Sequence, residues 1–445
     1  MATDSTDRLT APWTLHTFSA DVTIPIGHPC MGGGIAPAKV IVDPLEAIGF
    51  VLAGGTLAKP VVFVSVDWCE IRNGDYDAWR SALAAVAGTD RERVLVTSVH
   101  QHDAPVVDVE AQRRLEARNA AGAVCDIEFA PVAIASVAKA LSAALDGPGR
   151  RVTHVGTGKA IVDRVASNRR YERPDGSISY HRTSASHDPA AFEAPEGTID
   201  PWLRTLSLWA GDEPLLALSA YAVHPMSYYG DGEVSADFMG IARRARQRAL
   251  PDVVQVYASG CSGNVTAGRY NDGARENRPV LAARIQAAMA EAWAQTERRP
   301  LESASFRSVP LRFEPRSGPG HTPQDLETRI TNDADPADQC RAAMAMSWQD
   351  RVRSGQPIDL PVLELGPAVL ALLPGEAYVE YQLLAQRLRP DAFVMALGYG
   401  ECATGYIPTA SQIAEGDENL DDWYWVSETA EAVLSVGLRD ALTPN

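Results

Sequence analysis

The chain has 445 residues, 46% of them hydrophobic and 22% charged, with a net charge of −17. That length supplies a large core, organised as one large α/β domain or as roughly two or three smaller ones. The acidity speaks against nucleic acid and anionic membrane surfaces as bulk partners.

Residues 1–16, MATDSTDRLTAPWTLH, show no basic region followed by an apolar core, and no run of 18 apolar residues occurs later. Neither a secretory leader nor a transmembrane helix is expected, and the expected compartment is the cytoplasm. SADVTIPIGHPCMGGGI (19–35) reads as a short strand entering a glycine-rich turn, with His28 a candidate pocket residue. DPLEAIGFVLAGG (43–55) and VVFVSVD (61–67) read as paired strands, the second closed by Asp67. A helix over 75–88 and then RVLVTSVHQHDAPVV (93–107) complete a strand–helix–strand crossover. VLVTSV is nearly continuous apolar and β-branched, the pattern of a strand buried on both faces. If it runs through residue 102, alternation puts His100 and His102 on one side, at the carboxyl end of a core strand. Neutral imidazole is a common zinc donor, but two ligands are not a site, and two solvated loop histidines fit the same letters.

Residues 110–146 have helical spacing and 151–162, RVTHVGTGKAIV, reads as a strand. The polar segment 167–200 is too long for a mere connector and is expected to cover a pocket. Within it Asn168, Arg169 and Arg170 could bind an anionic or polar substrate group, or form a solvated basic turn. LRTLSLWAG (203–211) and PLLALSAYAVH (214–224) form a hairpin ending at His224, which alone reads as a core histidine. VVQVYASGCSGNVTAGRYNDG (253–273) runs into small residues, where backbone N–H groups could form an anion nest. No Gly-Lys-Ser/Thr follows, so this is not a Walker loop. Helical spacing over 279–298 and an extended run over 301–315 lead to 316–340, which reads as a polar linker. A helix over 341–353 and two apolar strands precede Glu376, which opens EAYVEYQLLAQRL as a first-turn helix acid. FVMALGYG (393–400) is the last apolar strand, and an amphipathic helix closes the chain. The six cysteines contain no C-x-x-C pair, which fits reduced thiols; Cys261 and Cys402 fall in motif loops and could wall a site. The elements interleave throughout, so one domain over 1–445 is expected.

Taken together, the motifs resemble those of the neutral/alkaline (non-lysosomal) ceramidases, across most of residues 18–440. VVFVSVD with VLVTSVHQHDAP, AVHPMS with VSADFMG, GCSGNVTAG, LLPGEAYVEY and GECATGYIPT occur in that family's order. The resemblance implies an α/β fold: a layered, mixed-sheet catalytic domain with its metal site at strand carboxyl ends. It further implies one zinc ion held by two histidines, a glutamate and a tyrosine. Carried over motif by motif, these are His100, His224, Glu376 and Tyr406, with Tyr399 the fallback for the phenol. His102 then stands beside the metal, binding or polarising the substrate carbonyl. Three departures are visible. Asp103 replaces the serine after His-x-His. Thr266 and Asn264 stand where the family has a proposed serine nucleophile and an aspartate. The family's C-terminal β-sandwich has no room here.

The expected activity is zinc-dependent hydrolysis of a linear amide in a small or amphiphilic substrate, by metal-activated water. In this reading His102 and Tyr406 stabilise the oxyanion, Asp103 or Asp237 takes a proton, and Thr266, Asn264, Gly263 and Arg170 orient the substrate. A shared fold does not assign ceramide as that substrate. A zinc esterase or lactonase, and a non-catalytic binding protein, are the alternatives. The expected partner is a small-molecule substrate, with no nucleic acid, no integral membrane segment and homo-oligomerisation left open.

Overall fold

The computed structural model describes residues 11–443. Residues 1–10, most of the stretch read for a leader, lie outside the described residues.

Three sheets, with helices layered on them, carry the architecture. The first runs Val94–Ser98, Val61–Val66, Glu46–Ala53, Trp13–Asp21, Arg150–Val152 in spatial order. The second runs Val254–Ser259, Glu213–Tyr221, Trp202–Ala210, His154–Ile161, Glu297–Pro300. The third runs Ala304–Leu311, Ile358–Leu365, Ala368–Leu372, Phe393–Leu397. All three are mixed, and each contains one parallel pair. A parallel pair needs a long crossover. Helices Asn73–Ala87, Asp237–Ala249 and Val379–Leu388 lie in the respective crossovers. VVFVSV is buried at all six positions, as its unbroken apolar run requires.

The sheets share one core. Phe50, Phe63, Leu218, Val256, Leu370 and Leu397, drawn from all three, pack in a single cluster. Each such side chain contributes about 1.5–3 kcal/mol on burial. Polar ties then pin the carboxyl ends of the parallel pairs together. Thr97 Oγ1 donates to Gly398 O at 3.0 Å, Ser259 Oγ to Val99 O at 2.7 Å, and Gly398 N to Ser259 O at 3.0 Å. Chain segments some 300 residues apart thereby end beside one another.

Several expectations need correction. The first strand begins at Trp13, not near residue 19. Residues 110–146 make two helices, Val109–Ala117 and Phe129–Asp146. The second is long and apolar enough by composition to cross a membrane, contrary to the reading above, and it packs on Trp13–Asp21 and Asn73–Ala87. The stretch 151–162 divides between the first and second sheets. Segment 316–340 is no simple linker: helices occupy Pro323–Asn332 and begin again at Pro336. Thr322-Pro323-Gln324-Asp325 forms a capping box and Asp335 caps the next helix, start signals that the polar composition concealed. Glu376 does not open a helix. It lies in a two-residue strand, Glu376–Ala377, parallel to Tyr406–Ile407, and the helix starts at Val379.

Candidate metal centre and active site

Strand alternation does not align the His-x-His pair. The strand ends at Ser98, and His100 takes φ +77°, a left-handed conformation rare for a residue with a side chain. His100 N donates to Trp68 O at 2.8 Å, and the ring Nδ1 meets Cys69 O at 3.0 Å. His224 follows the strand Glu213–Tyr221, and its Nδ1 meets Ser262 O at 2.6 Å. A carbonyl can only accept, so both Nδ1 atoms carry the hydrogen. Burial pulls the His100 pKa down, but the Glu376 carboxylate beside it outweighs burial and holds it above its ordinary value.

Both Nε2 atoms converge on one carboxylate. His100 Nε2 lies 3.0 Å and His224 Nε2 3.1 Å from Glu376 Oε2. All three residues are buried, and His100 Nε2 and Glu376 Oε2 have no hydrogen-bond partner among the described residues. Burial raises the Glu376 pKa, but the two adjacent imidazoles outweigh it and hold the carboxyl well below its usual range. Burial, with Arg169 beside it, lowers His224 to about 4. Such a buried cluster needs positive charge between its atoms, which a proton on His100 or a metal ion supplies. Tetrahedral zinc with bonds of 2.0–2.2 Å holds its donors roughly 3.3 Å apart, close to these separations. The donor set therefore fits a divalent metal ion, and the deprotonated state that binding requires is already favoured for Glu376 and His224.

Around this cluster opens a cavity of about 370 Å³, lined among others by His102, Arg169, Tyr229, Tyr406, Asn419 and Trp423. Tyr406 sits opposite Glu376 in register, and its hydroxyl accepts from Arg169 Nη1 at 2.9 Å. Tyr399 instead stacks on the His100 ring, with centroids 4.3 Å apart, and its hydroxyl is bonded to Ser262 Oγ at 2.8 Å. Of the two phenols Tyr406 lines the cavity. His102 is buried beside His100 with its Nδ1 unpartnered, and burial, with His100 and His224 nearby, drives its pKa well below the ordinary value.

No family sequence model and no curated protein sequence matches this chain. Solved structures do. A ceramidase complexed with C2 aligns over 97% of this chain and 75% of its own, with TM-score 0.68 and 16% identity. A neutral ceramidase from Pseudomonas aeruginosa aligns over 98% and 76%, with TM-score 0.67 and 17% identity. The fold is the ceramidase fold. On it, the structure brings His100, His102, His224, Glu376 and Tyr406 together.

It leaves the other candidates outside the cavity wall. Thr266 is fully buried, with Oγ1 2.9 Å from both Arg182 O and Thr183 O. Asn264 binds Glu380 Oε2 and Val379 N. Gly263 packs directly against the Glu376 backbone, where a Cβ would come within 2.2 Å of Glu376 O. Arg170 turns outward to Glu415. Asp103 accepts from Gly230 N, and Asp237 is held by Ser227 and Arg278. Cys261, Cys402 and His28 are buried elsewhere, whereas Cys69 lines the cavity. Cys69, Tyr229, Asn419 and Trp423 escaped sequence reading because no motif spacing marks them; only the fold brings them to one wall.

Proposed function

We propose that the protein is a metal-dependent hydrolase that cleaves a linear amide C–N bond with water, zinc being the ion. The observation that carries this reading is the meeting of two imidazole Nε2 atoms and one carboxylate oxygen, all buried, at the floor of a cavity. His100, His224 and Glu376 would hold the ion, with the Tyr406 oxygen beside them. When bound, such an ion polarises a carbonyl and acidifies water.

The remaining steps belong to the chain. The cavity admits a small amide between Tyr229 and Trp423 in its wall. Neutral His102, its Nδ1 unpartnered, accepts the proton as water adds to the amide carbon, and returns it to the departing nitrogen. The base role assigned above to Asp103 or Asp237 passes to His102, because neither acid reaches the cavity. The Tyr406 hydroxyl, fixed by Arg169, faces the oxygen that gains charge in the tetrahedral adduct. Thr266 is engaged with backbone carbonyls, so a covalent threonine route has no support here.

The test is elemental analysis of the purified protein combined with a panel of short amides and the matching esters. About one zinc per chain and metal-dependent release of amine are expected. Full loading with no product from any amide, but turnover of esters, would move the assignment to the esterase alternative. A cytoplasmic location belongs to the same reading and is checked by cell fractionation.

A further inference from the structure

We infer that Arg169 is a carboxylate-binding residue and that the substrate is a small amide bearing a carboxylate next to the scissile bond, of the N-acyl-amino-acid type. Arg169 is 6% exposed and lines the cavity. A buried guanidinium is costly unless it is paired or all its N–H groups are engaged. Most of the other buried arginines obey this rule, although Arg246, 8% exposed, forms no ion pair or side-chain hydrogen bond among the described residues. Arg72 meets Glu70 and Asp108, Arg243 meets Asp67, Arg278 meets Asp237, and Arg351 meets Asp77. Arg182, with no carboxylate, donates to carbonyls of Asn168, Ala191, Ala194 and Glu196.

Arg169 does neither. Among the described residues it forms no ion pair with a carboxylate, and its partners are the Tyr406 hydroxyl, Asn419 Oδ1 at 3.0 Å and His224 Nε2 at 3.1 Å. Its Nε is buried with no partner, as are those of Arg72, Arg243 and Arg351. The third partner is also the atom that would hold the metal, so loading the centre would take away this acceptor. A planar cation is then left facing the cavity with donors to spare, beside the centre. That is the arrangement guanidinium uses to grip a carboxylate by two parallel hydrogen bonds.

Cavity size and lining narrow the class further. About 370 Å³ lies near the small end of ligand pockets. Arg341, Glu418 and Asp422 stand in its wall, the two acids exposed, so an extended acyl chain would have to cross charged groups. A compact amide with one carboxylate satisfies both conditions. Because His224 Nε2 is only 3.1 Å from the guanidinium, that carboxylate must lie within a few bonds of the reacting carbon. Water adds to the amide carbon, the C–N bond breaks, and the water proton leaves on the amino group, giving a carboxylic acid and a free amino acid.

The substrate class rests on the hydrolase reading, but the anion site can be tested apart from it. N-butyrylglycine and its uncharged counterpart N-propylbutyramide are titrated against metal-free and zinc-loaded protein, with binding read by tryptophan fluorescence, since Trp423 lines the cavity. Amine release is measured separately. Wild type should bind N-butyrylglycine about tenfold to a hundredfold more tightly than the neutral amide. Arg169→Gln should abolish that preference, and Arg169→Lys, which keeps the charge and guards against a folding defect, should retain part of it. Equal binding of the two compounds by wild type overturns the carboxylate class, even if both are hydrolysed and the hydrolase reading stands. Arg169-dependent binding without amine release from any amide sustains the anion site and removes the hydrolase. An Arg169→Gln variant that loses zinc but keeps the full preference shows that Arg169 serves the Tyr406 oxygen instead, and overturns the inference.

Discussion

Two loops flank the site, and both looked functional from their letters. One carries His100 at the end of Val94–Ser98; the other, residues 260–268, carries Asn264 and Thr266. In the first, a backbone carbonyl fixes the far side of the ring and leaves Nε2 facing Glu376. In the second, the side chains are fully engaged: Thr266 with the carbonyls of residues 182 and 183, Asn264 with Glu380 and Val379. The difference between these polar residues is thus not burial, which is the same here. It is whether the hydrogen-bonding capacity of each is already satisfied.

The sharpest way to break the comparison is at the converging acceptors. His100→Ala and His224→Ala should each lose metal and reduce amide hydrolysis by about a thousandfold or more, because the electrostatic source of catalysis goes with the ion. Metal content and single-turnover rates check this, and full metal occupancy in either variant would dissolve the contrast. On the satisfied side, Thr266→Ala should lower stability by about 1–3 kcal/mol by leaving a carbonyl unpaired, while kcat stays within a fewfold of wild type. Denaturant melts and kinetics on the same preparation separate the two effects, and an inactive but stably folded variant would restore the covalent route.

Asp103 lies between these extremes. Burial pushes its carboxyl up to about 6, against the hydrogen bond from Gly230 N and the pull of Arg278. A raised folded pKa means that its contribution to stability is fully present below the unfolded value near 3.9 and is lost as pH rises through about 6. The stability of wild type minus that of Asp103→Asn should therefore decline between about pH 4 and 6 and level off near pH 7, as followed by thermal melts. A difference that grows with pH would reverse the assignment. The smallest effect is expected of Tyr399→Phe, which keeps the stack on His100 and removes the bond to Ser262 Oγ. About 1 kcal/mol of stability and a severalfold change in metal affinity should result, read by competition with a chelator.

Much of the fold was legible. The runs at 61–66, 94–98 and 368–372 are short and largely apolar or β-branched, as strands covered on both sides are. The helix after Val61–Val66 and the hairpin at 203–224 followed from local signals. What failed was also local: the capping box at Thr322 passed as linker, and Glu376 passed as a helix acid because it precedes a helix by three residues.

The sequence by itself marked the candidate donors, since His100, His224 and Glu376 each follow an apolar strand and the ordered motifs mark them as a set. Tertiary structure alone decided their convergence. The distances at the centre depend on three sheets sharing one core, on ties such as Thr97 to Gly398, and on a left-handed turn at His100 that no periodicity encodes. The same holds for Arg169, one of two adjacent arginines in a polar segment. Arg170 faces Glu415 outside and Arg169 faces the cavity, because a side chain's direction is set by the packing around it and not by the neighbour that shares its type.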